Sequence, residues 1–277
     1  MNYLKREKRA MKEQVNILFS PDLKEASMIV CWKEDPGKLG SLVSRVLIDH
    51  LKARIFGEVN PEHFFTLGGV IVEDNVAQFP ISRFYAGESR DIVVFESNQP
   101  QIERYHFLSC LLDTGEYYCQ IKEIYALGGI ITPIAHTSPR RLMVVYNQPE
   151  LRNKLRQFEL AEVNWEGPPA VNSYLSWLAQ RRNMPAISIW AEVAFYLASS
   201  SDWTAVKSVL SFLDHRFGLG LDFSGIDRQL KLHNEQLARL REQNPEVDRY
   251  IRTLEVGLSL TEEEQLSLTS SVSDFLG

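Results

Sequence analysis

The chain has 277 residues, 44% of them hydrophobic and 24% charged, enough for one large core plus an appendage. The net charge of −6 argues against a nucleic-acid binder, which needs a basic stripe interleaved with aromatics. No run approaches the roughly 18–20 apolar residues of a membrane span, and the three cysteines, odd in number, fit a reduced, cytoplasmic protein better than a disulfide framework.

In chain order, residues 1–24 read as a peripheral segment whose one basic cluster is Lys5, Arg6, Lys8, Arg9 and Lys12, faced by Glu7 and Glu13. A solvated chain end or a docking arm for an acidic partner fits that cluster. Residues 28–32, apolar and β-branched, predict a buried strand. After the turn at residues 34–38, Leu42, Val43, Val46, Leu47 and Leu51 recur at helical spacing, and residues 54–59 predict a second strand. A strand, helix, strand unit of this kind builds parallel sheets. Residues 69–73, 81–85 and 92–96 are short strand segments with no helix between them, so an antiparallel excursion is expected there. A helix over residues 101–112 leads to a strand over 121–127, which Gly128, Gly129 and Pro133 are expected to end. Extended structure resumes at residues 141–146, and helices are predicted over 150–158 and 171–182. Residues 186–193 form an apolar run that predicts a central strand. A helix over 203–217 closes the core, which is assigned to residues 25–221.

Beyond it, residues 222–277 read as a helical extension with eleven acids and six bases, hence most of the net charge. Ile226, Leu230, Leu237 and Leu240 make an apolar stripe on its first helix, read as an oligomer or partner contact. The last stretch, acidic at residues 262–264 and then rich in Ser and Thr, is expected to be a mobile tail.

The sequence carries neither a phosphate-binding P-loop nor a nucleophile elbow. The six histidines stand at no metal-ligand spacing, and the cysteines lack the basic surroundings of an activated thiolate. No catalytic set, metal site or cofactor is assigned. Position gives the remaining argument, because parallel α/β sheets bind ligands at the carboxyl ends of their strands. The residues there are Asp35, Gly37, Gly128, Gly129, Asn172, Glu192 and Tyr196, a candidate cleft. Glu192, a carboxylate ending an apolar strand, either accepts hydrogen bonds from loop amides or Asn172, or acts as a group of raised pKa.

At these same segments the chain resembles the proteasome assembly chaperone family, in particular bacterial members of unassigned role. The resemblance covers residues 26–252 and lies in the order of its motifs. They are the first strand, turn and helix (residues 28–51), Tyr125-Ala-Leu-Gly-Gly-Ile130, Gly167-Pro-Pro-Ala-Val-Asn-Ser-Tyr-Leu175, Pro185-Ala-Ile-Ser-Ile-Trp-Ala-Glu-Val193 with Phe195-Tyr196, and Asn244-Pro-Glu-Val-Asp-Arg-Tyr250. It implies a three-layer α/β/α sandwich with a mostly parallel sheet, like that of nucleoside phosphorylases and related hydrolases. It also implies self-association, with a trimer favoured, and a proteasome-like or other protein client. The first loop, Lys33-Glu-Asp-Pro-Gly-Lys-Leu-Gly40, departs from the glycine-rich, apolar form of many relatives, which weakens a phosphate cradle there. The expected function is therefore non-enzymatic protein binding or assembly. The alternative is a phosphorylase- or hydrolase-like enzyme with a small-molecule cleft at the strand ends.

Overall fold

The computed structural model describes residues 14–66, 71–73, 75–88 and 90–276. The basic cluster from Lys5 to Lys12 lies outside the described residues, as do residues 69 and 70 of one expected strand. The strands are β1 (Val15–Ile17), β2 (Ser27–Trp32), β3 (Arg54–Val59), β4 (Ile71–Glu73), β5 (Val76–Gln78), β6 (Ser82–Ala86), β7 (Ile92–Ser97), β8 (Glu123–Thr132), β9 (Leu142–Tyr146), β10 (Ala161–Glu162) and β11 (Ala186–Ala194). The helices are α1 (Leu39–His50), α2 (Arg104–Cys119), α3 (Leu151–Leu155), α4 (Val171–Arg181), α5 (Trp203–Phe217), α6 (Ser224–Gln243), α7 (Pro245–Glu255) and α8 (Glu262–Leu276).

Nine strands form one sheet in the order β1-β3-β6-β7-β2-β8-β11-β9-β10. Its centre, β7-β2-β8-β11, is parallel, and pairings turn antiparallel on both sides of it. All six residues of β2 are buried, as strands covered on both faces require. The expected excursion is β6, which lies antiparallel to both β3 and β7. α2 and α4 cover one face over Met28, Val30, Trp32 and Phe95. α1 and α5 cover the other over Ile29, Cys31, Tyr125 and Ile189. The three layers follow from this alternation of side chains along each strand.

Three expectations change. Part of the segment read as peripheral belongs to the core: β1 pairs with β3 and buries Val15. Gly128 and Gly129 do not end β8, which runs on to Thr132. A Cβ on Gly128 would stand 2.4 Å from the Trp190 ring, so glycine here admits a tryptophan laid across the strand rather than breaking it. The last stretch is not an irregular tail but α8, whose Leu268 and Val272, four residues apart, are buried against the rest of the chain. Helical spacing puts Leu268 and Val272 on one face of a helix rich in Glu and Ser, and with Leu276 that face docks it.

The C-terminal helices sit over the carboxyl ends of β8 and β11. Leu237 and Leu240 of α6, Val247, Tyr250, Ile251 and Leu254 of α7, and Leu268 and Val272 of α8 share a core with Ala135, Ala194, Tyr196 and Leu197. α7 starts where Asn244 accepts the Glu246 and Val247 N–H groups at 3.1 and 3.3 Å, with Pro245 in the first helical position.

Candidate functional site

The loop after β2 begins the strand-end region. Gly37, at φ 70°, takes the left-handed conformation that favours glycine, and a Cβ there would meet that of Asp202 at 3.0 Å. Its N–H donates to the Ala198 carbonyl at 2.9 Å, and its carbonyl accepts the Asp202 N–H at 3.0 Å. The loops after β2 and β11 are thereby zipped together. Gly129 lies under the same loop, its Cβ position 3.0 Å from the Pro36 carbonyl oxygen. Asp35 is buried, and its Oδ2 has no hydrogen-bond partner among the described residues. Burial, with the charge of Glu34 added, pushes its carboxyl well above the ordinary aspartate range.

Asp202 is the hub that the sequence reading missed. Its Oδ2 accepts Nε and Nη2 of Arg140 at 3.1 and 3.0 Å and the Ala194 N–H at 3.1 Å. Its Oδ1 caps α5 by accepting the Ala205 N–H at 3.0 Å. Arg140 also donates to the carbonyls of Ala135 and Ser138, at 3.0 and 2.6 Å. Both side chains are buried, and a buried ion pair is tolerable only with its remaining hydrogen-bonding capacity filled in this way. The signal available was Ser200-Ser-Asp202 just before the helical run, a helix-start pattern.

Tyr196 stands beside this hub. Its hydroxyl oxygen accepts the backbone N–H of His136 and lies 2.9 Å from that residue's Nδ1. Burial pushes the phenol up. Burial, with Arg241 and His233 adding like charge, holds the His136 imidazole down to about 4. His233 of α6 is buried too, with no hydrogen-bond partner for its Nε2 among the described residues.

Asn172 and Glu192 are both buried, yet each has its own partners. Asn172 Oδ1 accepts Nε1 of Trp32 at 2.6 Å, and its Nδ2 donates to the Leu127 carbonyl at 2.9 Å. Glu192 accepts the backbone N–H of Arg141 at 3.0 Å and that residue's Nε and Nη2 at 3.1 and 2.6 Å. Burial alone raises a carboxyl's pKa, but the Arg141 hydrogen bonds and charge outweigh it here and hold Glu192 below its usual range. Glu192 is therefore ionised at neutral pH rather than poised as an acid, and Asn172 is not among its described partners.

The stripe read as an oligomer contact turns inward. Ile226 is buried in the core beneath α5, and Leu237 and Leu240 are buried against Tyr196 and Leu197. Leu230 alone of the four is half-buried. An open groove of about 870 Å³ runs from Arg140 and Arg141, the partners of Asp202 and Glu192, along α5 and residues 157–161, with Lys207 and His215 on its walls. Among the described residues no helix is long and apolar enough to cross a membrane.

A family model matches residues 34–241, which span the first loop, the sheet from β3 onward, and most of α6. Its description is the PAC2 family. The chain belongs to the PAC2 family. The proteasome assembly chaperone resemblance read from the motifs is thus shown; the match takes in the motifs at residues 125–130, 167–175 and 185–196 and most of residues 28–51, and stops short of residues 244–250. Among curated proteins, none matches the chain. Several solved structures share its fold. One is PbaB, an archaeal proteasome activator from Pyrococcus furiosus, with TM-score 0.70 and 22% identity over 82% of this chain and 98% of that one. A protein of unknown function from Corynebacterium glutamicum has TM-score 0.74 and 16% identity over 87% and 95%. A proteasome-assembly chaperone homologue from Mycobacterium tuberculosis has TM-score 0.69 and 18% identity over 81% and 99%.

Proposed function

We propose that this PAC2 protein is a non-enzymatic, cytoplasmic assembly factor that binds itself and a protein client, of which a proteasome-like ring is one candidate. One observation carries the reading. The crevice in which parallel α/β sheets hold small molecules is filled by the chain's own helices α6, α7 and α8. Arg140, Asp202, Tyr196, Asn172 and Glu192 spend their polar atoms on protein partners. In this proposal the residues expected to line a cleft hold it shut. The client preference is supported by relatives described as a proteasome activator and a proteasome-assembly chaperone homologue.

The test is a thermal-shift titration. A ligand that binds the folded chain raises its melting temperature by mass action. Proteins cross-linked to the chain in its own cells, then purified, are expected to raise it, whereas a metabolite collection leaves it unmoved. A metabolite that raises it in a saturable way, with no protein doing so, overturns the proposal.

A further inference from the structure

α8 is an amphipathic helix of the chain lying in a groove of the same chain. Leu268 and Val272 are buried and Leu276 is half-buried, each four residues after the last. They pack on Phe195–Leu197, at the carboxyl end of β11, and on α6 and α7. Grooves that recognise helices take up apolar anchors spaced in this way. Glu264, in the acidic first turn, lies 3.5 Å from Arg249 of α7, whose side chain is 63% exposed.

Little else ties α8 to the body. Among the described residues that ion pair is its one polar side-chain contact with α6, α7 or the strand ends, and exposed pairs contribute little. Its side-chain hydrogen bonds otherwise run within residues 260–274. α7 buries four apolar residues in 11, whereas α8 buries two in 15. The helix also carries its own start. Thr261 Oγ1 accepts the Glu264 N–H at 3.3 Å and Glu264 Oε2 accepts the Thr261 N–H at 3.0 Å, a capping box that needs nothing from the body. The link from α7, residues 256–260, leaves Val256 and Leu258 exposed. A segment with so few buried contacts opens at a lower free energy than the core.

We propose that the groove beneath α8 is the client-docking site and that α8 is a built-in occupant holding it closed. What the groove accepts is read from α8 itself. The partner is an amphipathic helix of a protein client, with apolar residues at i, i+4 and i+8 and a carboxylate four positions before the first. Arg249 at the rim takes that carboxylate, and α8 is displaced. This rests on the client-binding function proposed above and gives it a site.

The probe is a fluorescent peptide of residues 261–276, titrated by anisotropy into the full-length wild-type chain and into Leu268→Asp with Val272→Asp, in which α8 is released. A closed groove lowers apparent affinity by the fraction of open molecules, so the variant should bind the peptide at least about tenfold more tightly than wild type. The same peptide with both aspartates should not bind. A client protein purified after cross-linking should displace the peptide and should also prefer the variant. Hydrogen exchange of the central strands shows whether the variant is folded; if it is not, Arg249→Glu, a surface change that sets two carboxylates together, serves in its place with a smaller gain. Equal affinities, or no peptide binding to a folded variant, overturns the proposal. A client that binds wild type and variant alike and leaves the peptide in place removes this site but keeps the client-binding function, whereas a peptide that binds with no client found removes that function. A wild-type dimer that the variant reduces to single chains would assign the groove to α8 of a second copy and overturn the client assignment.

Discussion

Replacing Glu192 with glutamine keeps the side-chain shape and removes the charge that Arg141 binds. Hydrogen bonds to charged groups contribute more than neutral ones, so Glu192→Gln should cost about 1–3 kcal/mol of stability in urea unfolding. An unchanged midpoint would mean that the Arg141 contacts carry no net energy. Asp35→Asn should act the other way. The Asp35 carboxyl has a folded-state pKa raised by burial, so ionisation favours the unfolded chain. The amide should therefore stabilise the protein at neutral pH, on the order of 1 kcal/mol, and the gain should vanish as acid protonates aspartate in both states. A loss of stability at neutral pH would show that Oδ2 meets a donor after all. Polar residues beside apolar runs made Asn172 and Glu192 visible in the sequence. Their partners were not, because Trp32 lies 140 positions from Asn172 and Arg141 lies 51 from Glu192. Only the sheet order brings such pairs together.

Among the elements, the α6 stripe was legible but its direction was not. An apolar face at helical spacing says that something covers it, and the covering surface here is the strand-end core around Tyr196 and Leu197. Leu237→Ala should accordingly cost about 2–5 kcal/mol, as for other buried leucines, while Leu230→Asp, at a half-buried position, should cost much less. Equal costs would contradict this packing. α8 escaped the sequence reading because its many serines and acids mask two buried residues. The seam beneath α6 and α7 should also respond to pH. His136, held down to about 4, faces Tyr196 from the β11 end, Arg140 from its own loop, Arg241 and His233 from α6, and Glu255 from α7. Asp202 faces His233, whose pKa is lowered by burial despite that charge. Histidines with depressed folded pKa values add stability that is full above the ordinary histidine range and lost as pH falls through it. For His136 the loss by pH 4 is on the order of 3 kcal/mol, from its shift to about 4. Hydrogen exchange corrected for intrinsic rates should show α6 and α7 losing protection between pH 7 and pH 5 before the central strands do. Uniform protection across that range would contradict it.

At the scale of the molecule, the apolar runs at β2 and β11 and the helical stripes of α1 and α5 announced a layered α/β fold. The crossover from β2 through α1 to β3 did not announce that β7 and β6 would be laid between those strands. Strand order depends on long-range pairing, which local pattern does not encode. The PAC2 fold with its strand ends capped by its own helices makes protein binding the central claim. Native mass spectrometry of the chain, purified gently from its own cells, tests that claim most directly. The account predicts multiples of the chain and complexes in which it holds a second protein at fixed stoichiometry. A single chain carrying a small-molecule adduct, with no protein bound, would contradict it.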